Sequence, residues 1–185
     1  MSKLERQTIA AAASGDRQAF ADIYDAYVDK IYAYLYCNSR HRETAEDLTS
    51  QVFFRAWKHV SSLNPDKQPS SWLYRIARNL WIDHCRSSHL VVELDEAESL
   101  ADNSDPLSET DNRWRLAQIE KYLKTLDSLQ REVVILRVWH DLSYQEIAVI
   151  IGKSEAASKM LFARALSKMK ENLPLALLVS LLFKI

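Results

Sequence analysis

Arginines and aromatic rings are interleaved along Ser71–Arg86. At 100° per residue, Trp72, Leu73, Ile76, Ala77 and Leu80 gather on one side of a helix, the side expected to be buried. The other side carries Tyr74, Arg75, Arg78, Trp81 and Arg86. Such a face suits nucleic acid, because guanidinium groups pair with phosphates while rings stack on exposed bases. A solvated basic face, with Trp81 tucked against a neighbour, is the plainer alternative. A second constellation lies on Ala45–Lys58, where Ala45, Leu48, Val52 and Ala56 form the core stripe and Asp47, Gln51 and Phe54 fall opposite. A phenylalanine between an acid and an amide on a polar face suggests a protein contact. Alternatively, Phe54 packs under the preceding helix. A third face opens the last long helix: Ala156, Ala157, Lys159, Met160, Ala163 and Arg164 point outward, with Ser158, Phe162, Ala165, Leu166 and Met169 inward. Small residues let a helix sit deep in a major groove, and Lys159 and Arg164 can reach phosphates or base edges. Catalytic patterns are missing: there is no Gly-rich phosphate loop, HExxH pattern or Cys/His cluster, and the five histidines are scattered. No enzyme activity, metal or cofactor is expected.

Helices must position these faces. Asp16 can cap a long helix with Phe20, Ile23, Tyr24, Tyr27, Val28, Ile31, Tyr34 and Leu35 at helical spacing. Thr44 and Asp47 are spaced as a capping box for the next helix. Asn64, Pro65 and Pro69 make residues 61–70 a loop, after which Ser70 or Ser71 starts a helix to about Arg86. Further on, Trp114, Leu116, Ile119, Leu123 and Leu126 keep helical spacing, and a second helix covers about Leu129–His140. Ser143 and Glu146 form another capping box, Gly152 breaks that helix, and Ser154 can cap the next, which runs to about Glu171. A short helix, a glycine turn and a longer helix make a helix-turn-helix candidate.

Charge divides the chain. Of its 185 residues, 1–86 carry twelve Lys/Arg against ten Asp/Glu. Residues 87–112 carry eight acids and no Lys or Arg, and 113–172 carry eleven basic and seven acidic residues. The acidic strip lacks a sustained helical period and reads as a linker. Few glycines and prolines favour helices. No signal peptide is evident, and Cys37 and Cys85 lack metal-ligand spacing, so a cytoplasmic, reduced protein is expected. Leu173–Ile185 is almost wholly apolar but too short for a membrane span, which needs about 20 residues. It is either a helix folded back on the second basic block or a sticky segment that engages a regulator or occludes DNA binding. These faces leave open a conventional, dimeric helix-turn-helix regulator and a pure protein-interaction adaptor.

Three segments in order resemble the extracytoplasmic-function sigma factors. AEDLTSQVFFRAW (45–57) is similar to the family's segment that docks on the polymerase clamp. SWLYRIARNLWIDHCR (71–86) is similar to its promoter-melting and −10 helix, and LSYQEIA (142–148) with Gly152 and Lys159–Ala165 to its −35-binding helix-turn-helix. The resemblance implies a sigma factor that binds core RNA polymerase, recognises −35 and −10 promoter elements and promotes DNA melting. Asp47, Gln51 and Phe54 would contact the polymerase. Asn64, Lys67, Gln68, Arg75, Arg78 and Asn79 would hold the opened −10 strand. Ala156, Ala157, Lys159, Met160 and Arg164 would face the −35 duplex. An anti-sigma factor is an implied partner, beside core polymerase and promoter DNA. The acidic linker would thread basic polymerase channels. Two positions depart from the family: Leu161 stands where an arginine is frequent, and Ser158 where a buried aliphatic residue is usual. The expected fold is all-α, with two small helical domains joined by an acidic linker, the second containing the helix-turn-helix. The expected divisions are sigma domain two (1–88), linker (89–112), sigma domain four (113–172) and an apolar C-terminal tail (173–185).

Overall fold

The computed structural model describes residues 3–66, 68–92, 123 and 125–172. The described elements are all helical and belong to two compact units. In the first, α1 (Lys3–Ala13), α2 (Arg17–Ser39), α3 (Arg42–Lys58) and α4 (Pro69–Val92) surround one core, with a short 3₁₀ turn at Val60–Ser62. The expected cap of α2 is present: the Asp16 carboxylate accepts from Gln18 N at 2.8 Å and Ala19 N at 3.1 Å. That satisfies two of the amides a helix start leaves unpaired. Its far end closes on Arg40, in the left-handed conformation (φ 55°), whose N–H donates to Tyr36 O at 2.9 Å.

Four expectations are corrected here. The third helix does not start at a Thr44 box. It begins at Arg42, and the His41 ring nitrogen accepts from Thr44 N at 3.3 Å, which leaves Thr44 inside the first turn. Pro69 is the first residue of α4, where its missing N–H costs nothing, so the helix starts earlier than Ser70. The same helix runs past Arg86 to Val92, so the first four residues of the expected linker are helical. Tyr74, expected on the polar face, is 1% exposed and meets the Tyr34 ring edge-on at 5.4 Å. A tyrosine at the border of an apolar stripe can bury its ring, and here an aromatic partner from α2 completes the contact. Helix α1, for which the pattern gave no expectation, buries Ile9 and Ala12.

The core of this unit joins Ile31 and Leu35 of α2, Leu48 and Val52 of α3, and Leu73, Ala77 and Leu80 of α4, all buried. Each large aliphatic side chain removed from water contributes about 1.5–3 kcal/mol. The opposite sides of α3 and α4 are thereby held outward.

The second unit contains α5 (Ser128–Val134), a π-helical turn at Ile135–Trp139, α6 (Tyr144–Ile151) and α7 (Glu155–Asn172). Leu123, Leu126, Val134, Val138, Ala165 and Met169 form its core, with Trp139, Phe162 and Leu166 packed against them. The Ser143 capping box forms in full: Glu146 N donates to Ser143 Oγ at 3.2 Å and Ser143 N to the Glu146 carboxylate at 2.9 Å. Gly152 closes α6 at φ 67°, a left-handed conformation that glycine adopts without steric cost. Ser154 then caps α7, its hydroxyl accepting from Ala157 N at 3.1 Å. The helical stretch expected at Trp114, Leu116 and Ile119, the expected linker after Val92 and the stretch Leu173–Ile185 lie outside the described residues.

Candidate nucleic-acid and polymerase interfaces

Packing of Ala45, Leu48, Thr49, Val52, Phe53 and Ala56 into the core turns the opposite side of α3 outward. Asp47, Gln51 and Phe54 are exposed, Phe54 by 60%, and follow one another at spacings of four and three along one stripe. Phe54 therefore does not pack under α2. Its neighbour Phe53, 5% exposed, takes that place and meets Tyr24 edge-on at 4.7 Å. Two contacts were not read from the sequence. Lys58, one turn beyond Phe54, sets its ammonium 4.5 Å from the ring centroid, a cation–π pair that the four-residue spacing could have suggested. Trp57, 36% exposed, packs edge-on to Phe20 at 5.0 Å, a contact between helices that no local pattern encodes.

On α4, Arg75 and Asn79 are exposed one turn apart, and Arg78 is half-buried beside them. Trp81 is half-buried and stacks on His84 at 5.7 Å, so part of its ring is already covered. The preceding loop exposes Asn64 and Gln68. The Asn64 side-chain oxygen accepts from Asp66 N at 2.9 Å, which shapes the loop as an Asx turn and leaves the amide NH₂ for a ligand. Lys67 lies outside the described residues. Cys37 and Cys85 are free thiols, and burial pushes both above the usual cysteine range.

The start of α7 presents Ala156, Lys159, Met160, Ala163 and Arg164 to solvent, while Ala157 is half-buried. Lys159 pairs with Glu155 at 2.6 Å, a contact that holds the Glu155 carboxyl below its ordinary range. Both partners are exposed, so the pair adds little stability and leaves the ammonium available. Ser158 is fully buried and its hydroxyl donates to Ser154 O at 3.1 Å. The small polar side chain is thus satisfied by its own helix where an aliphatic residue was expected.

The sequence also gave no sign of the ring that ties this unit together. Tyr144 has the Arg137 guanidinium at 5.0 Å, the Lys159 ammonium at 5.9 Å and the Phe162 ring edge-on at 5.9 Å. Arg137 also donates to Leu142 O at 2.9 Å, closing the turn before α6.

The chain is similar to known proteins along most of its length. Residues 23–90 match the Sigma-70 region 2 model and residues 116–169 the Sigma-70 region 4 model. It is 35% identical to the ECF RNA polymerase sigma factor BldN of Streptomyces coelicolor over 88% of this chain, spanning 63% of that relative's length. It is 32% identical to the ECF RNA polymerase sigma factor SigW of Bacillus subtilis, over 82% of this chain and 87% of SigW. Among solved structures, the sigma factor RpoE of Bartonella quintana, in complex with the anti-sigma factor NepR, aligns with a TM-score of 0.69 and 25% identity. That alignment covers 82% of this chain and 94% of RpoE. No helix among the described residues is long and apolar enough to cross a membrane. Region 2 followed by region 4, with this identity to SigW over most of both chains, shows that the protein belongs to the extracytoplasmic-function sigma factors, which direct RNA polymerase to promoters and initiate transcription.

Proposed function

We propose that the protein holds core polymerase and promoter DNA through separate faces of its two helical units. The observation that carries this reading is the exposure of Arg75 and Asn79 one turn apart on a helix whose opposite side buries Leu73, Ala77 and Leu80 and half-buries Trp72 and Ile76, which were expected to be buried. Asp47, Gln51 and Phe54 dock on polymerase, with the Lys58 ammonium at the edge of the same surface. Asn64, Lys67, Gln68, Arg75, Arg78 and Asn79 hold the unpaired −10 strand, where guanidinium groups neutralise phosphates and amides reach base edges. Ala156, Ala157, Lys159, Met160 and Arg164 face the −35 duplex. The organisation is domain two over 1–88, extended in the helix to Val92, then an acidic linker to 112, domain four over 113–172 and an apolar segment 173–185.

Each unit binds polymerase weakly, and the tether makes the second contact effectively intramolecular. Opening is then driven by capture of single-stranded bases, with no hydrolysis and no cofactor in the reading. The compartment is the cytoplasm, where polymerase and promoters are. An anti-sigma factor is the proposed regulator, supported by the RpoE–NepR complex. The test is promoter opening with purified core polymerase and genomic fragments, read by permanganate at unpaired thymines. Opening only with both proteins present supports the proposal. Dimeric binding to duplex DNA by the chain alone, with no opening, would replace it with a conventional regulator.

A further inference from the structure

From Ala156 to Lys170, helix α7 carries Lys159, Arg164, Lys168 and Lys170 and no acidic residue. Its exposed stripe does not end with the residues assigned above to the −35 duplex. Met160, Ala163, Arg164, Ser167 and Lys168 follow one another on one side of the helix, all exposed, and line an open recess whose wall is Gln130 of α5. Arg164 and Lys168 stand one turn apart, a like-charge spacing that disfavours the helix unless an anion sits between them. Gln130, only 5% exposed, accepts from the Lys168 ammonium at 3.1 Å. That bond ties one helix to another and orients the ammonium. Because the amide is neutral, the bond takes no charge from the lysine, and an ammonium has three donors, so one acceptor does not exhaust it.

We infer that Arg164, Ser167 and Lys168 hold a backbone phosphate of the −35 duplex, with Gln130 positioning the lysine. The inference rests on the reading of α7 as the −35 helix and extends it from the bases to the wall of the groove. The N-terminal part of a recognition helix reaches base edges, and the major groove is about 12 Å wide. Lys168 lies eight residues beyond Met160, about 12 Å along the helix axis. A helix seated in the groove by its Ala156–Met160 end thus brings Lys168 level with the phosphates that wall it. The guanidinium and the ammonium supply charge, and the Ser167 hydroxyl supplies a further donor. Such a contact carries no sequence information; it fixes the register in which the other residues meet the bases.

The test compares holoenzymes containing the parent chain, Lys168→Gln, Lys168→Arg or Lys159→Ala. Each is titrated on a promoter duplex opened in the permanganate assay and on the same duplex with its −35 base pairs exchanged. Lys168→Gln is expected to weaken binding to both duplexes by the same factor, about tenfold. It should also lower the slope of log affinity against log salt by about 0.9, whereas Lys168→Arg keeps the parent slope. Parental affinity and slope in Lys168→Gln, with binding weakened by Lys159→Ala, would overturn the phosphate contact and leave the −35 reading standing. If Lys159→Ala also bound like the parent, both would fall. An equal defect of Lys168→Gln in binding core polymerase without DNA would replace the phosphate with a protein surface. Loss of inorganic pyrophosphate binding by the free Lys168→Gln chain, at an unchanged salt slope, would overturn the inference in favour of a small phosphate ligand.

Discussion

Phe53 and Phe54 are adjacent in sequence and opposite in environment, which makes them a controlled pair. Phe54 is 60% exposed and Phe53 5%. A phenylalanine offers about 200 Å² of surface. Covering the exposed share of Phe54 in a complex therefore removes about 120 Å² from water, worth at most about 3 kcal/mol at about 25 cal/mol per Å². Association loses part of that to ordering and imperfect desolvation. Phe54→Ala is thus expected to weaken binding to core polymerase by about 10- to 100-fold. Folding should suffer less, because most of the ring is already exposed and it has the Lys58 ammonium of the same helix against its face. Phe53→Ala removes a buried ring and should cost about 3–5 kcal/mol of stability. Fluorescence titration of labelled core polymerase gives the first quantity and urea unfolding followed by circular dichroism the second. If Phe54→Ala bound polymerase within twofold of the parent, the assignment of this stripe to polymerase would be wrong.

Further substitutions probe the other faces. Arg75→Ala should slow promoter opening at least tenfold in the permanganate assay while leaving the thermal transition unchanged, since its side chain is exposed. Ser143→Ala removes the cap of α6 and should lower stability by about 1 kcal/mol, read by urea unfolding. Ser158→Val exchanges a self-satisfied buried hydroxyl for an aliphatic group, and its unfolding midpoint should stay within a few degrees of the parent. Because burial raises the Cys37 and Cys85 thiols, both stay protonated at neutral pH. Their alkylation by iodoacetamide should be slower than that of a free cysteine and should accelerate only at higher pH than for an ordinary thiol.

Features set by neighbours in the chain were legible from sequence. Asp16, the Ser143–Glu146 box, Gly152 and Ser154 each act within four residues, and each stands where the pattern puts it. The outward turn of Phe54 followed from helical periodicity, although periodicity alone left its burial open. Features decided between helices were not legible. Tyr74 is buried because Tyr34 arrives from α2, and Trp57 is held by Phe20 across the same unit. Helix α1 buries Ile9 and Ala12, and no expectation had been drawn for that stretch. At the start of α3, a histidine supplied the cap that Thr44 was expected to provide, because a ring nitrogen can accept an amide as a hydroxyl does.

The Tyr144 ring has a consequence for how such a protein can change over generations. Its two cations do different work: Arg137 also holds the Leu142 carbonyl and fixes the turn, whereas Lys159 is an exposed residue of the face we propose for DNA. Replacing Lys159 removes one of two attractions to the ring and leaves the one that keeps the turn shut. If Lys159 contacts DNA as proposed, sequence preference can drift at position 159 without a matching loss of architecture, so diversification of promoter choice is decoupled from maintenance of the fold.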